Sequence, residues 1–511
     1  MLSAIALCTV SLTLQAATAS KSCTANSCTA NDDIDTVVAI ERKSLIQKRA
    51  DFLASVEFKV HPDSDVAKTG RGEWIIQPDG ACGQGDLAAL VENMPNNTRA
   101  VFHGHPEKGG LCFFVMEGTR EGVLQKLTMH HWKNTPNVET DTAVYLDQYG
   151  QESDKLKDDV EGDVPWGLDR IDAREGLDGS FKPMSQKGGV DVHVYVMDTG
   201  IRTSHEEFGG RAVPTLETFE HVPKACEGDN DCAVDNNGHG TFCAAAIGGH
   251  SAGVAPQATL HAVKVVDGEF GKATALIHAF DWLLSQNLLS ASTIFSLSVS
   301  LNGTCSSMWN AHLEAHKRGV TMVVAAGNRG IVGTNTWIVH ASYAIRVGAT
   351  DKSDAKWDDS NFGVSVDIFA PGVDITSAWI EKDDSTKKES GTSAACAHVA
   401  GAVALLLSEA KSRGLTFDHF FDVKRVLTDH ATCIDDPTTR RRRRCQLPLL
   451  YIGDKTGRED GANRRRYIGE LTGGWMNSTK EGQEVERTGT NGLPRDNLYG
   501  SSDMESKIVL R

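Results

Sequence analysis

Asp198, His239 and Ser393 sit in V-Y-V-M-D-T-G-I (194–201), N-N-G-H-G-T (236–241) and S-G-T-S-A-A (390–395). A serine hydroxyl is a weak nucleophile until a histidine takes its proton and a buried carboxylate holds that histidine's tautomer. The order Asp, His, Ser is one of the chain orders in which such triads occur, and it predicts nucleophilic hydrolysis. Asn328 in V-V-A-A-G-N (323–328) is a fourth member. Its amide follows a strand end and can donate to a carbonyl oxygen as that oxygen becomes an anion. Alone, each residue has a plainer reading: a strand-end turn, a loop histidine, a helix cap, an asparagine in a turn. Together in one α/β body they point to acyl-transfer chemistry.

The elements that must position these residues follow from periodicity. From about 190, near-continuous apolar strands (191–197, 258–266, 292–300, 320–326, 344–349) alternate with helices (273–284, 309–318, 398–411). That pattern predicts a mainly parallel sheet with helices on both faces. Asp198 and Asn328 then follow strand ends, where ligands collect in such sheets. Ser393 starts a long apolar helix, whose positive end stabilises a developing anion. His239 lies between two glycines that allow close approach of backbone and substrate. Ahead of this body, strands at 72–78, 98–104, 110–117 and 138–146 and helices at 86–94 and 120–131 follow βαββαβ order. This is a ferredoxin-like arrangement, expected as a small separable α+β domain.

The chain has 511 residues, 40% hydrophobic and 23% charged, with net charge −16. This allows a sizeable core in more than one domain and argues against a nucleic-acid binder. Residues 1–19 carry a short apolar stretch ending in Ala17-x-Ala19, which predicts a cleaved leader rather than a membrane span. Residues 20–71 read as a polar N-terminal extension, 148–164 as an exposed, cleavable linker, and 453–511 as a Gly- and Arg-rich disordered tail. Twelve cysteines suit an oxidising compartment. Cys226–Cys232, Cys82–Cys112 and Cys433–Cys445 are possible pairs, and Cys243 and Cys396 are expected as buried thiols. The basic runs Arg440–Arg444 and Arg464–Arg466 read as solvated tail, with a processing site as the alternative.

P-W-G-L-D-R-I (165–171), D-T-G-I-R-T-S-H-E-E-F-G-G-R-A (198–212), G-H-G-T-F-C-A (238–244), S-N-F-G-V-S-V-D-I-F-A-P-G (360–372) and G-T-S-A-A-C-A-H-V-A-G (391–401) resemble subtilisin-like serine proteases of the proteinase K branch. The resemblance covers roughly 165–452 as a catalytic domain. The segment 72–147 resembles the inhibitor I9-type propeptide. The likeness implies a monomeric, secreted or vacuolar endopeptidase made as a zymogen, acting on polypeptides and restrained by its own propeptide, with neither nucleic acid nor membrane as partner. It implies that 265–271, including Gly268, and Ser300, Leu301, Asn302 and Gly303 pair with an extended peptide. Ala325, Ala326 and Gly327 would line the pocket for the side chain before the cut. Asp367 matches a calcium-binding carboxylate, so structural calcium is the one cofactor expected, with no organic cofactor.

Three departures qualify the resemblance. S-L-N-G (300–303) stands where the family has S-L-G-G, and Asn302-Gly303-Thr304 is also a glycosylation sequon, as are those at Asn96 and Asn477. G-T-S-A-A-C-A-H lacks the family's methionine and proline after the serine, and Phe242 replaces a histidine. They motivate a rival reading from another class: a self-cleaving binding protein whose propeptide never leaves, with little activity on other chains.

Overall fold

The computed structural model describes residues 54–78, 84–130, 134–146, 164–219, 222–286, 289–301, 305–333, 341–415, 420–434 and 447–453, with isolated positions before and between them. The leader, most of the extension, the linker up to 163, Asn302 and Gly303, both arginine runs, Asn477 and the tail from 454 lie outside the described residues.

Strand His193–Asp198 shows why the larger body is layered. Successive side chains of a strand face opposite ways, and here both faces are apolar. Val194 and Val196 join a core with helices His239–Gly248 and Thr392–Ser412. Tyr195 and Met197 join another with helices Ala273–Ser285 and Ser306–Lys317. Such a strand is stable only inside a sheet covered twice, where each buried side chain of this size contributes roughly 1.5–3 kcal/mol.

The parallel order is Leu447–Leu449, Ile368–Pro371, Ala344–Thr350, Thr321–Ala325, Thr293–Leu297, His193–Asp198, Thr259–Lys264, Ala212–Glu217, with antiparallel Thr432–Ile434 and Lys224–Ala225 at the two edges. His193–Asp198 comes first in sequence yet lies inside the sheet, so later strands are added on both its sides. Loops leaving such a switch point diverge and open a crevice at the strands' carboxyl ends. Asp198 is at that end.

Helix Thr392–Ser412 is long and apolar enough to cross a membrane, but its apolar window is 94% buried within the fold. It is a core helix. It begins six residues earlier than its apolar period indicates, which puts Ser393 in its first turn. Gly401 lets it approach its neighbours closely: a Cβ there would lie 2.6 Å from the Cβ of Val254.

The N-terminal sheet runs Phe58–Lys59, Asn137–Thr140, Arg71–Gln77, Phe114–Thr119, Arg99–His103, with only the first pair parallel. Its last four strands, with helices Gln84–Val91 and Arg120–Met129, have the ferredoxin-like order. Three expectations change. The domain starts before 72, because Phe58–Lys59 adds a fifth strand and Asp65–Thr69 a short helix capped by Ser64. It is not fully separate: Trp74, Ile76 and Phe114 belong to a core of its own, but Ile75, Phe113 and Val115 share a cluster with Leu276 and Phe280 of the larger body. The expected strand 138–146 breaks in two, at Asn137–Thr140 and Ala143–Leu146.

Candidate active site

Asp198 ends its strand with no solvent exposure, and His239 opens helix His239–Gly248 at 3% exposure. His239 Nδ1 lies 2.7 Å from Asp198 Oδ1, which also accepts from the Thr199 amide at 2.8 Å. A carboxylate can only accept, so Nδ1 carries the proton and Nε2 is left as the base. Burial opposes a charge on His239, but the Asp198 carboxylate outweighs it and holds the imidazole pKa well above its ordinary value. Gly238, at φ 110°, turns the chain into the helix, and a Cβ there would strike the Trp379 ring at 2.5 Å.

Ser393 is 3% exposed. Its Oγ lies 3.5 Å from the carbonyl of Ser298, whose own Oγ lies 3.5 Å from the carbonyl of Ser393. Cys243 sits beside the imidazole, its Sγ 4.0 Å from Nδ1 and 3.9 Å from Nε2. Asn328 Oδ1 accepts from the Thr392 amide at 2.9 Å and its hydroxyl at 2.7 Å. With its oxygen so engaged, the amide presents its NH2 end elsewhere. Gly327, at φ 95°, shapes this loop, and a Cβ would lie 2.5 Å from Asn361 Nδ2. Ala325 and Ala326 are buried at the end of the same strand. Asn361 braces the loop through Ala326 O at 2.7 Å and the amides of Arg329 and Ile331.

Sequence reasoning missed what joins the two acidic and basic segments. Asp235 is 4% exposed and accepts five hydrogen bonds. Its Oδ1 receives Thr199 Oγ1 and the amides of Asn237 and Gly238; its Oδ2 receives the amide and hydroxyl of Thr241. Thr199 Oγ1 in turn accepts from the Gly240 amide at 2.9 Å. One carboxylate thus ties the residue after Asp198 to the first turn holding His239. The N-cap position is Gly238, so Asp235, three residues ahead of it, carries no local capping signal to read.

The cleft is a four-stranded sheet in the order Val266–Asp267, Phe270–Lys272, Ala143–Leu146, Val299–Leu301. The tail of the N-terminal domain is therefore laid antiparallel between two strands of the larger body. Among the described residues pairing falls on 299–301, where the chain has left the main sheet after Leu297 and Ser298 is beside Ser393; Asn302 and Gly303 of the expected 300–303 lie outside the described residues. Ser300 and Leu301 pair with Tyr145 and Val144. Gly268 is in the turn at φ 74°, its carbonyl taking Asn237 Nδ2 at 3.1 Å.

Buried carboxylates hold the domain there. Glu139 accepts from the Ser306 and Ser307 amides at 3.0 and 2.7 Å, opening helix Ser306–Lys317. Asp141 accepts from the amide and hydroxyl of Thr274 at the start of helix Ala273–Ser285. Burial, then the charge of Glu73, pushes its pKa up to about 7. Asp281 reciprocates, accepting the amides of His105 and Leu111 and His105 Nδ1.

Asp367 is not a fit for calcium. Its carboxylate takes Arg346 Nε and Nη2 at 2.8 Å each and Lys424 Nζ at 2.7 Å. Burial alone would raise its pKa, but these two cations hold it below its ordinary value, and they repel a third cation. The disulfides Cys82–Cys112 and Cys226–Cys232 form, Cys243 and Cys396 are buried thiols, and so is Cys305. Cys433 is disulfide-bonded, while Cys445 lies outside the described residues.

A family model described as "Subtilase family" matches residues 189–465, more than half of the chain. Alkaline protease 1 of Aspergillus clavatus is 37% identical over 294 residues, 56% of this chain and 67% of that protein. Subtilisin-like protease 2 of Pseudogymnoascus destructans is 40% identical over 243 residues, 47% and 58% of the two chains. An extracellular serine proteinase of a Thermus species is 40% identical over 250 residues, 48% and 58% of the two. The chain thus spans 58–67% of the length of these relatives.

Proposed function

The chain belongs to the subtilase family, and from that premise we propose that it is a secreted serine endopeptidase made as a self-processing zymogen. The observation that carries this reading is the strand Ala143–Leu146, bound on both edges and running to Val299, next to the Ser298 carbonyl that faces Ser393 Oγ. An extended peptide held by its backbone on both sides is how a cleft presents a bond to a nucleophile without reading every side chain.

The chemistry follows from the groups in place. His239 Nε2 takes the Ser393 proton as Oγ attacks the scissile carbonyl carbon, and Asp198 stabilises the resulting imidazolium. The carbonyl oxygen becomes an oxyanion that accepts from the Asn328 NH2 near the positive end of the serine helix. His239 returns the proton to the leaving amine as the C–N bond breaks, leaving an ester on Ser393. A water, deprotonated by His239, then releases the new carboxylate and restores Ser393.

In the uncut chain the same strand blocks the cleft, which is also the observation favouring the rival, a permanently inhibited protein. The disulfides and the extracellular Thermus relative support secretion. One assay separates the two. The purified full chain, allowed to process itself, is expected to start within the first few residues after Leu146, to hydrolyse peptides, and to lose that turnover when a serine-directed phosphonate labels Ser393. A folded, self-cut protein freed of residues before the cut and still without turnover overturns the peptidase in favour of the rival.

Structural calcium belongs elsewhere than Asp367. Asp172 is 9% exposed; its Oδ2 accepts the Lys182 amide, while Oδ1 has no partner among the described residues. Burial, with Asp178 and Asp169 nearby, raises its pKa to about 6. An orphaned carboxylate oxygen suits a hard cation, and Asp172 is the residue that would hold it; both oxygens of Asp169 are taken by the amides of Asp178 and Gly179. Calcium is expected to raise the unfolding temperature of the native chain and of Asp367→Asn alike, and to lose that effect in Asp172→Asn. An equal calcium response in Asp172→Asn removes this site.

A further inference from the structure

Phe270 is 60% exposed on the rim of the cleft even with the N-terminal tail in place. A large aromatic so placed does little for its own fold. Its direct partner across the antiparallel pair is Tyr145, so the two side chains leave the sheet on the same face. The rings meet edge to face, centroids 5.5 Å apart at 87°, an orientation that aromatic quadrupoles favour. The neighbouring tail residues are met differently. Val144 is fully buried and Leu146 partly so, both against the apolar core shared by the two bodies. The Tyr145 hydroxyl donates to Asp63 Oδ2 at 3.0 Å, but Asp63 is itself part of the N-terminal domain. When that domain leaves, Asp63 goes with it and Phe270 stays.

We propose that Phe270 is a specificity-determining residue that makes the cleft select an aromatic side chain second or third before the scissile bond. The inference rests on the peptidase reading above and extends it to a substrate class: extended peptides carrying phenylalanine or tyrosine at the position paired with Phe270. The range of two positions comes from the register. Leu146 faces Val299, one residue from the Ser298 carbonyl at Ser393, so Tyr145 is the second or third residue back from the attacked carbonyl. Phenylalanine and tyrosine should serve equally, since only the ring contact survives the loss of Asp63.

The test uses the full chain after self-processing and a set of internally quenched peptides that share one cleavage site. Phenylalanine, tyrosine, leucine or glycine is placed in turn at each of the four positions before the cut. The measured quantity is the ratio of kcat/KM for the aromatic peptide to that for the glycine peptide, taken within each enzyme so that any loss of active protein cancels. At one of the two positions the ratio should be about 3 to 10, the range an edge-to-face pair supports. It should fall below about 2 in Phe270→Ser and return in Phe270→Tyr. A native ratio near 1 at both positions, or a ratio that survives Phe270→Ser, overturns the inference while leaving the peptidase reading intact. Absence of turnover with every peptide, in a self-cut and folded protein, overturns both.

Discussion

Replacing Ser393 by alanine is expected to lower turnover about 10⁶-fold, the scale carried over from the same substitution in subtilisin, and to leave the chain uncut after Leu146. The size of the effect follows from what remains. Without Oγ there is no nucleophile, so His239 and Asp198 have nothing to activate. Asn328, the helix end and the two cleft strands still bind and polarise the peptide. Those parts alone sustain about 10³–10⁴ over the reaction in water. The fold should not notice the change. The approach of Ser393 Oγ to Ser298 O is long, at 3.5 Å, and alanine is a better helix former than serine. Unfolding of the Ser393→Ala chain should therefore stay within a few degrees of an intact, unprocessed reference. Mass measurement then reads the processing and a peptide assay the turnover. Retention of more than a tenth of native turnover, or accumulation of self-cut chain from a pure preparation, removes Ser393 as the nucleophile.

What was legible in the sequence, and what was not, divides along the range of the contacts. Asp198, His239, Ser393 and Asn328 stand in short glycine-marked segments at strand or helix ends, and the structure gathers those ends at one crevice. Helix His239–Gly248 went unread because H-G-T-F-C-A-A-A-I-G is buried all round, and a helix with no polar face has no amphipathic period to detect. The cleft segment is legible in part: Ser300 and Leu301 pair with the tail as the resemblance implies, while Asn302 and Gly303 lie outside the described residues. Strand 138–146 reads as continuous, yet Asp141 turns aside to meet Thr274, a partner 133 residues away. Asp367 failed as a calcium ligand for the same reason. Its carboxylate is claimed by Arg346 and by Lys424 from helix Phe420–His430, and no local motif announces a distant cation.

Asp198→Asn should cost about 10⁴ in turnover and displace the pH profile, and the direction of that displacement tests the buried pair itself. In the native protein burial works against charge on His239 while Asp198 works for it, and Asp198 prevails. The base acts only when neutral, so kcat/KM must climb with pH through a pKa above the ordinary histidine value, about 6.5. Stability runs the other way. A histidine whose folded pKa is raised contributes stability that is complete below its unfolded pKa and is lost as pH rises through the folded one. Catalysis is thus gained across the same alkaline window in which the His239–Asp198 pair stops stabilising the fold. Asparagine removes the charge but keeps the shape. Burial is then opposed only by the Cys243 sulfur beside the ring, so the residual activity should titrate at lower pH than in the native protein, and the alkaline loss of stability should shrink. The amide can also donate to Nδ1, which places the proton on Nε2 and leaves no base facing Ser393. Profiles of kcat/KM and of unfolding temperature against pH, for both proteins, read all of this together. A native acid limb at or below 6.5, or an unshifted limb in Asp198→Asn, means that the carboxylate does not govern the imidazole.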